Sequence, residues 1–158
     1  MILTKESVNK IREKLQQYPK PKSAILPALT VAYRQAGYVD EGIYKEISKI
    51  INVTTVEIAE AATFYTLFAK EPRGKYLIQV CHNISCALLG ADSLIGYLQE
   101  KLNIKIGETT EDKMFTLVTV ECLGSCSTAP VMQINQDYYE RLTKEKVDQV
   151  LEDLRSKA

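Results

Sequence analysis

The sequence predicts a mixed α/β protein (α+β or α/β in class), a bundle of short helices followed by a β-α-β-β-β-α domain. Three observations predict it. Apolar residues recur at helical spacing as far as about residue 70. A charged break, Lys70-Glu71-Pro72-Arg73-Gly74, then interrupts the pattern. Beyond it, short runs rich in β-branched and aromatic residues alternate with amphipathic stretches. The expected domains are 1–74 and 75–158.

The helical half reads as four elements. Val8, Ile11 and Leu15 form the stripe of the first, which should end near Pro19. Ser23 is placed to cap the second, which carries Ile25, Leu29, Ala32, Tyr33 and Ala36 and stops at Gly37. Pro27 sits close enough to its first turn to be tolerated. Ile43, Ile47, Ile50 and Ile51 mark the third. Thr54 and Glu57 have capping-box spacing before Val56, Ala59, Ala62 and the aromatics Phe64, Tyr65 and Phe68. Aromatics at helical spacing favour a core, with a partner surface as the alternative. This half shows no catalytic constellation.

In the second half, Tyr76–Val80 reads as a buried strand, 91–102 as a helix and Phe115–Val120 as a second strand. Val131–Ile134 and the Tyr138-Tyr139 region suit a hairpin around Asn135-Gln136-Asp137. Val147, Val150, Leu151 and Leu154 give a closing helix capped by Thr143.

Composition narrows the chemistry. Twenty basic and twenty acidic residues cancel among 158, so nothing marks a nucleic-acid or anionic-lipid surface. Apolar runs are too short to span a bilayer, and the amino terminus lacks the apolar stretch of a signal peptide. A cytoplasmic location is therefore expected, where four cysteines are metal ligands or redox groups more often than disulfides. His82 is the only histidine, and neither G-x-G-x-x-G nor a P-loop motif occurs.

The cysteines fall in two pairs, Cys81-x4-Cys86 and Cys122-x3-Cys126. Each pair follows a strand of the expected βαβ unit, whose strands run parallel with a right-handed crossover. Parallel strands present their carboxyl ends at one sheet edge, so both pairs should emerge side by side. Four thiolates there suit zinc or an iron–sulfur cluster. Structural zinc knuckles commonly use two-residue spacings, and the longer spacings here suit a wider two-iron object. A dithiol redox pair and plain packing of buried cysteines remain open, although a C-x-x-C motif is absent. Gly124 would let backbone amides approach the sulfurs.

The segments Val80-Cys81-His82-Asn83-Ile84-Ser85-Cys86 and Glu121-Cys122-Leu123-Gly124-Ser125-Cys126-Ser127-Thr128-Ala129-Pro130-Val131 resemble the thioredoxin-like [2Fe–2S] ferredoxin family. More narrowly, the chain resembles the E-subunit family of NADH:quinone oxidoreductase. Leu26-Pro27-Ala28-Leu29, Gly37-Tyr38 and Ala62-Thr63-Phe64-Tyr65-Thr66-Leu67-Phe68 are similar to that family's helical domain. The resemblance implies a thioredoxin-like second domain and one [2Fe–2S] cluster. It implies that Cys81 and Cys86 hold one iron and Cys122 and Cys126 the other. It further implies an electron-transfer subunit of an NADH-oxidising complex, without a substrate site of its own. FMN and NADH would sit on a partner flavin subunit, and the complex would lie peripherally on the cytoplasmic face of a membrane. Equivalent subunits of NAD-linked or bifurcating hydrogenases and formate dehydrogenases are the alternative, with a zinc-stabilised adaptor behind them. His82, beside a ligand, reads as a solvent-facing loop residue in preference to a tuner of potential.

Overall fold

Polar side chains that compete for backbone N–H groups decide where most of the helices begin. In the computed structural model, which describes residues 2–157, α1 spans Lys5–Gln16 and the Thr4 hydroxyl accepts from the Ser7 N–H. α2 spans Ile25–Ala36 and stops at Gly37, whose φ of 76° is a left-handed conformation that glycine adopts without a Cβ penalty. α3 (Glu41–Ile51) is capped by Asp40 and ends on left-handed Asn52. α4 (Thr55–Phe64) opens with the full Thr54/Glu57 capping box.

The structure departs from two expectations. Ser23 caps nothing: Pro21–Ala24 forms a 3₁₀ turn that runs straight into α2, and Ala24 at the N-cap offers no side-chain acceptor. Pro21 at the head of that turn fixes φ and makes the continuous entry possible. The aromatics also part company. α4 ends at Phe64, so Phe68 turns inward edge-on to Tyr33, with ring centroids 5.8 Å apart. Phe64 is 78% exposed and Tyr65 is exposed as well.

The unit Met1–Pro72 has its own core, built on Ile11, Leu29, Ile43, Ile47, Ile51 and Ile58, all fully buried. Each such side chain contributes roughly 1.5–3 kcal/mol through burial. Lys22 forms an ion pair with Glu57, tying the 3₁₀ turn to α4.

The unit Arg73–Ala158 holds a four-stranded sheet. Its elements are β1 (Tyr76–Cys81), α5 (Ile84–Leu88), α6 (Ala91–Leu102), β2 (Phe115–Val120), β3 (Met132–Ile134), β4 (Asp137–Tyr139) and α7 (Lys144–Ser156). The strand order is β2-β1-β3-β4. β1 and β2 are parallel, and β3 is antiparallel to both β1 and β4. The expected β-α-β-β-β-α order is present with one addition, the five-residue α5. Asn135 makes the tight turn in a left-handed conformation. Its amide accepts from the Leu77 N–H at 2.9 Å and donates to the Lys75 carbonyl at 3.1 Å, clamping the hairpin to β1. Ile78, Val80, Phe115, Leu117, Met132 and Ile134 from the sheet share one core with Leu98 of α6 and Val147 and Leu151 of α7. Among the described residues no helix is long and apolar enough to cross a membrane.

Candidate iron–sulfur site

The crossover delivers the two cysteine pairs together. β1 and β2 pair from Tyr76 opposite Phe115 to Cys81 opposite Val120, so both strands end level. Cys81 is itself the last residue of β1, Cys86 lies within α5, and Cys126 opens a 3₁₀ turn, Cys126–Thr128. Only Cys122 occupies a plain loop, whereas the sequence pattern places each pair after its strand. None of the four is in a disulfide.

The site is asymmetric. Cys81 and Cys86 are buried, in a small apolar cluster with Ala91 and Val131, whereas Cys122 and Cys126 are exposed. The Cys122 and Cys126 sulfurs are 3.7 Å apart. Burial pushes the Cys81 thiol up, but the N–H groups of Asn83 and Leu123 and the Cys86 thiol outweigh it, leaving Cys81 below the ordinary thiol value. Burial raises Cys86, as do its hydrogen bond with Cys81 and the neighbouring Cys81 and Cys126 sulfurs; the Val131 N–H opposes them. Two of these N–H donors, Leu123 and Val131, come from the segment between β2 and β3 and reach back to the first pair. The four sulfurs are thus linked in one group.

Further side chains hold the loops. Asn83 caps α5 by accepting from the Ile84 N–H, and donates across to the Glu121 carboxylate at 2.8 Å. His82 Nε2 lies 3.7 Å from the other oxygen of Glu121, with the ring partly exposed. The Gly124 N–H points at the Cys122 sulfur at 3.3 Å, and its φ of 78° explains the glycine. Ser125 and Thr128 both donate to Glu140, which holds its carboxyl below the usual range. Sequence pattern alone did not single out Asn83, Glu121 or Glu140. Asn83 could have been found as an N-cap before Ile84; the other two act only across the fold.

This donor set fits a two-iron cluster. It has four thiols in two pairs and backbone N–H groups aimed at the sulfurs, where negative charge accumulates on ligation. Among the described residues no three His, Cys, Asp or Glu side chains are arranged around a single metal ion. A two-iron rhomb asks only for two pairs, each on its own iron.

Residues 11–155 match the family model of the thioredoxin-like [2Fe–2S] ferredoxin, which sets the class of protein. The NADH-quinone oxidoreductase E-subunit 2 of Rhizobium meliloti (strain 1021) is 45% identical over 140 residues, covering 89% of this chain and 83% of its own. The corresponding E-subunit of Rickettsia conorii is 41% identical over 155 residues, covering 96% and 93%. The chain therefore belongs to the thioredoxin-like [2Fe–2S] ferredoxins and, among them, to the E-subunit family of NADH-quinone oxidoreductase. One [2Fe–2S] cluster goes with that membership. A solved NAD⁺-reducing [NiFe]-hydrogenase in the air-oxidised state matches with a TM-score of 0.72 and 25% identity. That match covers 84% of this chain but only 23% of the hydrogenase chain.

Proposed function

We propose that Cys81 and Cys86 hold one iron and Cys122 and Cys126 the other, in an electron-transfer subunit of an NADH-quinone oxidoreductase type complex. The cluster supplies one-electron transfer to and from the neighbouring subunit that binds FMN and NADH. The observation that carries this reading is the meeting of both cysteine pairs where β1 and β2 end level. The buried pair anchors the site in the apolar cluster around Ala91 and Val131. The exposed pair, Cys122 and Cys126, forms the edge that a redox partner can approach. The N–H groups of Asn83, Leu123, Val131 and Gly124 favour the negatively charged sulfurs.

The helical domain, 1–74, serves as the docking element. Its exposed Phe64, Tyr65 and Leu67 suit the apolar centre of an interface. A lasting interface of well over about 1,000 Å² would hold donor and acceptor close without repeated encounter. The test is reduction by NADH: visible bleaching of the loaded chain should require the flavin subunit. Bleaching without that subunit, or none with it, would contradict the proposal. The likeness to the NAD⁺-reducing hydrogenase supports a second reading, the equivalent subunit of such an enzyme. Identity of 45% against 25% favours the first.

A further inference from the structure

The segment carrying Cys126 has little regular structure of its own, being an irregular loop followed by the three-residue turn Cys126–Thr128. A ligating thiol must nevertheless be held within about 0.5 Å of its productive position. The restraint comes from outside the loop. Glu140, just past β4, accepts through the single oxygen Oε1 from the hydroxyls of both Ser125 and Thr128, the latter at 2.8 Å. Those hydroxyls lie 2.7 Å from one another, and the Ser125 carbonyl, 3.1 Å from Thr128 Oγ1, is an alternative acceptor for the one Thr128 proton. Ser125 immediately precedes Cys126, and Thr128 closes the same turn, so one carboxylate holds the side chains on both sides of the thiol. Glu140 is itself fixed: Lys146 Nζ donates to its carbonyl at 2.7 Å, and the adjacent Arg141 N–H donates to the Thr128 carbonyl at 2.7 Å.

We infer that Glu140 is a positioning residue for the iron–sulfur site, locking Ser125 and Thr128 and thereby the Cys126 sulfur between them. The inference rests on the assignment of Cys126 as a ligand. Partners that orient metal ligands in this way typically govern metal affinity by about 10–100-fold. Glu140 also places a negative charge on the cysteine loop. Such a charge opposes the extra electron of the reduced site, so its removal raises the reduction potential.

The experiment uses the full-length, anaerobically loaded chain as wild type, Glu140→Gln, Glu140→Ala, Ser125→Ala, Cys126→Ala and Glu152→Gln. Glu152 lies exposed on α7 and makes the same change of charge away from the loop. The readouts are midpoint potential, the paramagnetic resonance g-values of the reduced form, and the rate of iron loss to a chelator. Glu140→Ala should lose iron about ten-fold faster or more, with altered g-values. Glu140→Gln should raise the potential while retaining iron better than Ala, and Glu152→Gln should change nothing. Should Glu140→Ala fail to fold, Ser125→Ala and Glu140→Gln decide: faster iron loss in the first and a raised potential in the second support the role. Wild-type potential, g-values and iron loss in the Glu140 variants, with only the melting temperature lowered, overturn it. Cys126→Ala separates the two claims. A normal signal there defeats the ligand assignment itself, whereas unshifted Glu140 variants beside a collapsed Cys126→Ala defeat only the role of Glu140.

Discussion

Cys81 stands opposite Val120 at the end of the parallel β1–β2 pairing, and the next N–H, that of His82, donates to the Val120 carbonyl at 3.2 Å. The ladder therefore continues one residue past the first thiol. Its last bond sits between the two cysteine segments, beside the Asn83–Glu121 bridge. Assembly of the site is a property of strand register, and the loops only refine it.

The asymmetry in burial separates two consequences of removing a thiol. Replacing any of the four cysteines by Ala should abolish the normal reduced-state resonance signal. In the cluster-free chain the variants should differ. Cys81→Ala and Cys86→Ala open space in a closed apolar cluster and should cost about 1 kcal/mol. Cys122→Ala and Cys126→Ala, at exposed positions, should stay within about 0.5 kcal/mol of wild type. Chemical denaturation of the four apo variants checks this.

Gly124 tests the amide cradle. A Cβ there meets nothing within 4 Å, so the cost of Gly124→Ala is conformational, about 1 kcal/mol from the left-handed φ. Relaxing that φ would turn the N–H away from the Cys122 sulfur. The loaded variant should show a lower midpoint potential, because a hydrogen bond to sulfur favours the reduced form. An unchanged potential would show that the Gly124 amide does not act on the cluster.

Acid should loosen the helical unit through Glu57. The Lys22 ion pair, then the N–H and hydroxyl of Thr54, hold its carboxyl down at about 2, against an ordinary value of 4.5. A depressed folded-state value means a stabilisation fully present above pH 4.5 and lost as pH falls from there toward 2. Wild type should therefore melt above Glu57→Gln at neutral pH, with the gap shrinking through that window. A gap independent of pH would contradict the assignment.

Because each unit has its own core, a chain beginning at Arg73 should fold and keep its cluster. It should lose stable association with the flavin subunit. Co-purification of tagged flavin subunit with full-length and shortened chains is the check, and equal binding by both would show that the helices do not dock.

What the sequence made legible is what short-range pattern encodes. The run Tyr76–Val80, the helix over 91–102 and the run Phe115–Val120 carry strong periodicity, and chirality then forces the two cysteine pairs to one edge. α5 escaped because five residues show no period and its apolar Ile84 and Leu88 face outward. Ser23 misled because a good capping residue is useless inside a turn that flows into the helix. Glu140 was silent in the sequence: its contacts depend on the hairpin returning toward the cysteine loop.

Four cysteines in two pairs should hold one two-iron cluster. Iron, acid-labile sulfide and zinc analysis of the anaerobically purified full-length chain tests it most directly. The expected result is about two irons and about two sulfides per chain with a reddish-brown absorbance. About one zinc per chain with negligible sulfide, in protein never exposed to air or chelator, would contradict it.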